Sequence, residues 1–196
     1  MKPSILITGG SKGVGKEIAD YFAPRSMSLS RSNGFDIGSV HARKEIVQKS
    51  LEYDIFINHA HNGHFEGQTS LLYELFEAWT QAGKSGYIFN TGTIATYLPQ
   101  KEFKRYAVIK KALEIANQQC CKKIENGLAS FRMTLLKPGM LDSENSRKNT
   151  QWQGQTLRGQ DIAPLIEYLY STPKNVLINE MVLTGVVQKT GQIDTL

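Results

Sequence analysis

Cysteine is nearly absent from this chain of 196 residues: Cys120 and Cys121 are the only two, and they are neighbours. Successive side chains on a helix diverge, so the pair cannot staple distant segments, and a disulfide-built fold is excluded. A reducing, cytoplasmic setting is the expectation. Long apolar runs are missing as well. None reaches the ~18 residues of a membrane span, and the first residues form no apolar leader, so neither a membrane crossing nor an address is expected. Repeats, low-complexity tracts and linkers are lacking, which leaves a single domain over 1–196 as the simplest organisation. What remains is ordinary for a globular chain, with 40% hydrophobic and 21% charged residues.

The net charge of +5 raises either nucleic acid or a small anionic ligand. The basic residues are dispersed, and the densest stretches, 101–111 and Lys122-Lys123, are interrupted by Glu102 and Glu114. That pattern suits a solvated helix face better than a phosphate track, so no nucleic-acid partner is expected.

Periodicity and breakers give strands at 4–8, 27–30, 54–58, 86–90, 132–137 and 176–183. Helices alternate with them at about 13–22, 41–52, 69–82, 103–125 and 161–170. The strands are continuous apolar runs, as a sheet covered on both faces requires. The fold class is therefore α/β, a doubly wound parallel sheet with helices on both faces. In such a sheet the ligand lies beyond the carboxyl ends of the strands. Residues just after Ile7, Leu29, Ile57, Asn90 and Lys137 should line that crevice. The polar stretch 142–159, which contains Trp152, is read as a loop over a small-molecule substrate.

The first strand runs into Thr8-Gly9-Gly10-Ser11-Lys12-Gly13-Val14-Gly15 and then into a helix. Gly9, Gly13 and Gly15 let the backbone turn tightly and approach a pyrophosphate, at which the free N–H groups of the helix would point. Glycines that merely punctuate a loop are the alternative. Further on, Tyr106 and Lys110 stand at i and i+4 near a helix start, on one face and about 5–6 Å apart at Cβ. An ammonium beside a phenol of unperturbed pKa ~10 favours the phenolate, so the pair is expected to bring Tyr106 closer to neutrality as a proton donor and acceptor.

Taken in order, these residues resemble the short-chain dehydrogenase/reductase family. Thr8 to Gly15 matches its T-G-x-x-x-G-x-G turn, Asp36-Ile37 its adenine-contacting pair, and Asn58-His59-Ala60-His61 stands where N-N-A-G is usual. Tyr106-Ala107-Val108-Ile109-Lys110 is its Y-x-x-x-K, Pro138-Gly139 its P-G turn, and Asp161-Ile162-Ala163 its late helix start. The resemblance spans Ser4 to Gly185 and implies a Rossmann-type fold and a nicotinamide coenzyme. It implies that Tyr106 exchanges a proton with a carbonyl or hydroxyl oxygen, that Lys110 holds the nicotinamide ribose, and that Thr93 steadies the oxygen in place of the usual Ser. Thr91 is a less favoured substitute. It also implies coenzyme contacts from Gly9, Ser11, Lys12, Gly13, Val14, Gly15, Ser30, Arg31, Asp36, Ile37, Asn58, His59, Ala60, Thr91, Tyr106, Lys110, Pro138, Gly139 and Leu141. A homodimer or homotetramer built through the helices 69–82 and 103–125 is implied as well.

The second strand ends Ser28-Leu29-Ser30-Arg31-Ser32-Asn33, with no acid before Asp36. A carboxylate there would bind a ribose 2′-hydroxyl and repel a 2′-phosphate, whereas Arg31, with Lys12 in the glycine turn, suits the phosphate. NADP(H) is the expected coenzyme, and a small carbonyl compound or alcohol the expected substrate.

Several features depart from the family. The stretch from Asn58 to Gly86 is short, so one helix there is expected to be trimmed. No Asn on the helix 69–82 matches the family's fourth catalytic residue, His61 replaces the last Gly of N-N-A-G, and Asp142 stands where a Thr is common. His59, His61 and His64 raise a metal site, but only Glu66 is at hand to complete a ligand set, and no metal is expected. The main alternative to an NADPH-dependent reductase is a weakly active or non-catalytic NADP(H)-binding sensor on the same fold.

Overall fold

The computed structural model describes residues 2–97, 105–143 and 155–186. Trp152 and most of the stretch 142–159 lie outside the described residues, as do 103 and 104 at the expected start of the long helix. Six strands, β1 (Ile5–Thr8), β2 (Ser26–Leu29), β3 (Ile55–Asn58), β4 (Tyr87–Thr91), β5 (Arg132–Pro138) and β6 (Glu180–Leu183), form one sheet in the order β2-β1-β3-β4-β5-β6. Every neighbouring pair is parallel. The helices are α1 (Gly13–Tyr21), α2 (Val40–Ser50), α3 (Gln68–Gln81), α4 (Arg105–Glu125) and α5 (Gly159–Ser171).

Period-two alternation divides the apolar strand residues between two faces. Leu6, Phe56, Ile88 and Met133 point to one side, where α2, α3 and α4 bring Ile46, Leu71, Leu75, Trp79, Leu113 and Ala116. Ile5, Ile7, Ile55, Ile57, Tyr87 and Phe89 point to the other, against Val14 and Ile18 of α1 and Ile162, Ile166 and Leu169 of α5. Trp79 is fully buried and still satisfied, because its indole N–H donates to Ser50 Oγ at 2.8 Å.

The expected elements are present, with displaced ends. β6 is shorter than the apolar run 176–183, because the Ile178 carbonyl accepts from the Thr134 hydroxyl and a turn joins Val176 N to Pro173 O. α5 starts two residues early, where the Asp161 carboxylate accepts from the Arg158 N–H at 2.8 Å and Glu17 of α1 accepts from the Gly159 N–H at 2.6 Å. Only α3 lies between β3 and β4, in agreement with the expected trimming.

Two buried arginines tie the layers together. Arg132 caps the end of α5, its guanidinium donating to the carbonyls of Tyr170 and Thr172 at 2.7 and 3.0 Å. Arg43 of α2 reaches both carboxylate oxygens of Glu74 on α3, at 2.9 and 3.1 Å, and also donates to the Ile37 carbonyl at 3.0 Å. The turn at Asp36-Ile37 is thereby fastened to the helical layer. The chain reverses its direction of winding between β1 and β3, and the crevice at that switch point is where the site residues gather.

Candidate active site

The glycine turn is held by Thr8. Its hydroxyl accepts from the backbone N–H groups of His59 and Ala60 at 3.1 and 3.2 Å, joining the carboxyl ends of β1 and β3. Gly9 has φ +79°, and a Cβ there would come within 3.0 Å of the Ala60 Cα. At Gly15 a Cβ would overlap the Gly9 carbonyl oxygen and lie 2.8 Å from His59 Cδ2. Lys12 occupies the cap position of α1 without a side-chain cap bond, which leaves the first N–H groups of α1 to an anion. Val14 is buried in the core, so only its backbone faces the turn. Gly15→Ala is expected to lower the melting temperature, as a thermal scan would show.

Beyond β2, Ser30 Oγ and Ser32 Oγ are 2.8 Å apart, and the Ser30 N–H donates to Asn33 Oδ1 at 2.7 Å. Arg31 lines a cleft of about 530 Å³ together with Asp36, Gly38, Asn62, His64 and Arg105. The Asp36 carboxylate is turned back onto the Gly38 N–H at 2.9 Å, and Ile37 is buried in the core.

At the other end of the crevice, Thr93 opens a short helical turn, Ile94–Thr96, and its hydroxyl accepts from the Ala95 N–H at 3.2 Å. The Thr93 hydroxyl lies close enough to the Tyr106 phenol on α4 to favour its ionisation. Thr91 is directed elsewhere, its hydroxyl lying 3.2 Å from His59 Nδ1. The structure thus brings Thr93, and not Thr91, to the tyrosine. Lys110 Nζ sits 5.9 Å from the centre of the Tyr106 ring. It donates to Gln68 Oε1 and to the Thr91 carbonyl, each at 2.7 Å.

One expectation is reversed. Burial raises the Tyr106 pKa above its ordinary value, opposed in part by the Thr93 hydrogen bond, and the nearby ammonium does not bring it down. Lys110 is itself buried and bonded to other oxygens, and burial lowers its own pKa to about 7.

The residue that sequence reasoning missed is Gln68, first in α3 and 3% exposed. Its Nε2 donates to the carbonyls of Asn58 and Thr91 at 2.6 and 3.2 Å, while its Oε1 accepts from Lys110. Gln68 lies one residue before the helix expected at 69–82, and it is a Gln where the family has an Asn. The short span from Asn58 to Gly86 was the available signal.

Asn58 is buried and serves the scaffold through its side chain. Its Nδ2 donates to Asn90 Oδ1 at 2.9 Å, Asn90 Nδ2 to Asn117 Oδ1 at 2.9 Å, and Asn117 Nδ2 to the Asn179 carbonyl at 3.1 Å. This row of amides runs from the carboxyl end of β3 to the residue before β6 and passes through Asn117 on α4, the helix that also carries Tyr106 and Lys110. Gly139, after β5, donates to the Leu183 carbonyl at 2.7 Å, and Leu141 pairs with Leu157.

The three histidines diverge. His59 faces Thr91, the His61 ring meets Tyr106 edge-on at 5.1 Å, and His64 lines the cleft with Arg31. Burial, and next the Lys110 charge, lower both His59 and His61 to about 4, so both are neutral near pH 7. No group of side chains suited to a metal ion occurs among the described residues.

Below Thr93 lies an unforeseen ion cluster. Fully buried Lys137, the last residue before Pro138, bonds Glu114 of α4 at 2.7 Å, and Glu114 also accepts from Lys111 and, at 2.9 Å, from Thr96 Oγ1. A Cβ on Gly92 would lie 3.2 Å from Lys137 Cγ, so the lysine stem runs directly under the Thr91–Thr93 segment.

No protein-family profile matches the chain. Among solved structures, a short-chain dehydrogenase/reductase family protein superposes with a TM-score of 0.72 at 17% identity, over 95% of this chain and 98% of its own. The fold is that of the short-chain dehydrogenases and reductases. The same short-chain dehydrogenase/reductase fold matches an alcohol dehydrogenase from the archaeon Thermococcus sibiricus, complexed with 5-hydroxy-NADP (TM-score 0.69, 17% identity, 96% of this chain and 99% of that one). It also matches a 3-ketoacyl-(acyl-carrier-protein) reductase from Brucella melitensis complexed with NADH (TM-score 0.74, 18% identity, 92% and 95%). Among curated proteins, an uncharacterized oxidoreductase of Staphylococcus epidermidis is 26% identical over 102 residues, 52% of this chain. The matched stretch spans under half of that relative's length, 44%.

Proposed function

We propose that the chain is an oxidoreductase that moves a hydride between a nicotinamide coenzyme, NADP(H) in preference to NAD(H), and the carbonyl or hydroxyl carbon of a small molecule. What carries this reading is Tyr106 on α4 with Lys110 Nζ 5.9 Å from its ring centre and the Thr93 hydroxyl close by, at the far end of the crevice that opens on the glycine turn. The Gly9–Gly15 turn and the uncapped start of α1 fit a pyrophosphate. Asp36, Ile37 and Ala60 would flank the adenine, and Ser11, Lys12, Ser30 and Arg31 the 2′-phosphate. When bound, the coenzyme supplies or accepts the hydride.

The chain's own residues handle the proton. Thr93 and Tyr106 hydroxyls orient the substrate oxygen, and Tyr106 gives it a proton as the carbonyl carbon gains the hydride. Lys110, with its Nζ 5.9 Å from the centre of the Tyr106 ring, would hold the nicotinamide ribose. The coenzyme preference rests on the end of β2: Arg31 makes no ion pair among the described residues, and Asp36 is committed to the Gly38 N–H. Dimerisation through α3 and α4 belongs to the same reading, supported by exposed Tyr73, Val108 and Ile115 on those helices.

Titration of the chain with NADPH and NADH tests the preference. NADPH is expected to bind at least tenfold more tightly, and Arg31→Glu to erase that margin. Tighter binding of NADH by the unaltered chain overturns the assignment. Consumption of NADPH with ketones, aldehydes and quinones then separates an enzyme from a sensor that only binds.

A further inference from the structure

We propose that Gln68 is the positioning residue for Lys110: its amide bridges the ammonium to the ends of β3 and β4 and fixes the direction in which Lys110 faces Tyr106. The proposal rests on the oxidoreductase reading for its consequence in catalysis, but not for its geometry. Both halves of the Gln68 amide are used. The oxygen takes the Lys110 ammonium, and the nitrogen donates to two strand-end carbonyls. A buried amide bonded in this way has one orientation, since turning it over would set NH₂ against the ammonium and oxygen against the carbonyls. Lys110 is held from a second side by the Thr91 carbonyl, the same oxygen that Gln68 Nε2 reaches.

The trimmed connection delivers this residue. Between β3 and α3 the chain closes on itself at Asn62, whose Oδ1 accepts from the His64 N–H and whose Nδ2 donates to the Glu66 carbonyl, each at 3.2 Å. Gly67, at φ +134°, packs so near the Asn62 amide that a Cβ would lie 2.7 Å from it. α3 therefore begins beside the strand ends, with its first side chain inside the site.

The titratable groups that face Lys110 are His59 and His61 from the loop after β3 and Tyr106 from its own helix. Glu114, one turn further along α4, is engaged by Lys111, Lys137 and Thr96. The partner supplied by α3 is an uncharged amide, so the ammonium is oriented without being neutralised. Burial lowers the Lys110 pKa to about 7, and the choice of Gln over Glu at 68 leaves that depression in place.

Two variants push Lys110 in opposite directions. Gln68→Glu keeps an acceptor and adds a negative charge, whereas Gln68→Met keeps the length and removes the acceptor. The measurement is the NMR titration of ε-¹³C-labelled lysine, with Lys110 assigned by Lys110→Arg, alongside the pH profile of coenzyme-dependent turnover. The Lys110 midpoint is expected to rise by at least about one pH unit in Gln68→Glu and to fall in Gln68→Met, with the limb of the pH profile following each. Turnover in Gln68→Met should drop about tenfold or more while the coenzyme dissociation constant changes less than about threefold. Midpoints that stay put, or that move the same way in both variants, overturn the role of Gln68. Either variant decides alone if the other does not fold. An unaltered chain that turns over no carbonyl compound defeats the oxidoreductase reading instead, and the titration still decides Gln68.

Discussion

Tyr106→Phe will reduce coenzyme-dependent turnover by roughly 10²–10⁴-fold, the range of one lost general acid, while the NADPH dissociation constant changes less than about twofold. The ring packs edge-on against His61, and that contact survives in Phe. The substitution removes only the phenol hydroxyl. A steady-state assay paired with titration calorimetry separates the two quantities. If the variant keeps even a tenth of the activity, the phenol is not the proton donor. The raised Tyr106 pKa gives the sign of the pH dependence in the coenzyme-free chain. The phenol stays protonated through the neutral range, as a donor to a carbonyl requires, and a hydroxyl-oxidising direction should strengthen as pH rises.

The second large effect concerns stability. Glu114→Ala leaves Lys137, which is fully buried, without its 2.7 Å partner; among the described residues only Glu180, at 3.5 Å, remains as an opposite charge. Removing one partner of a buried pair typically costs about 3–5 kcal/mol, against a total of about 5–15 kcal/mol for a domain. Urea unfolding should show that loss as a lowered midpoint. Replacing both members, Glu114→Leu with Lys137→Met, should restore much of it, because the burdensome group is then gone. A single variant within about 1 kcal/mol of the parent would show that Glu180 or water takes over the ammonium.

The same cluster has a pH signature. Burial alone would raise the Glu114 pKa, but hydrogen bonds from Lys111, Lys137 and Thr96 outweigh it and hold the carboxyl below its usual range. Its contribution is present above the unfolded carboxylate pKa and is lost as pH falls through the lower folded value. For Lys137 burial acts to lower the pKa, yet its hydrogen bonds with Glu114 and Tyr97 and the charges of Glu114 and Glu180 raise it. That contribution is present below the unfolded lysine pKa and fades as pH climbs through the raised one.

The parts of this molecule that were legible in the sequence are those written locally. Apolar strands separated by helical periods fix the sheet class, and the glycine turn Gly9 to Gly15 and the Tyr106–Lys110 spacing are local signatures, while Thr93 comes from the family resemblance. Features that depend on what the fold brings together were not legible. Gln68 reads as an ordinary helix start until the short connection after β3 places it on Lys110. Glu114 reads as part of a solvated helix face and is far from Lys137 in sequence, yet the two are paired and buried beneath the Thr93 segment. The Tyr106–Lys110 spacing identified the pair but not its electrostatics, because the direction of each shift depends on burial and on the oxygens that already hold the ammonium.

The chain of amides from Asn58 to Asn179 has a polarity. Its last acceptor is a backbone carbonyl, which cannot donate, so Asn117 must turn its nitrogen outward, and Asn90 and Asn58 must follow. None of the three side chains can be inverted alone. An acid in place of Asn90 would set oxygen against oxygen at Asn117, and the disturbance would travel to the strand end that carries His59. The orientation of groups at the crevice is thus tied to the Asn179 carbonyl, beside the opposite margin of the sheet.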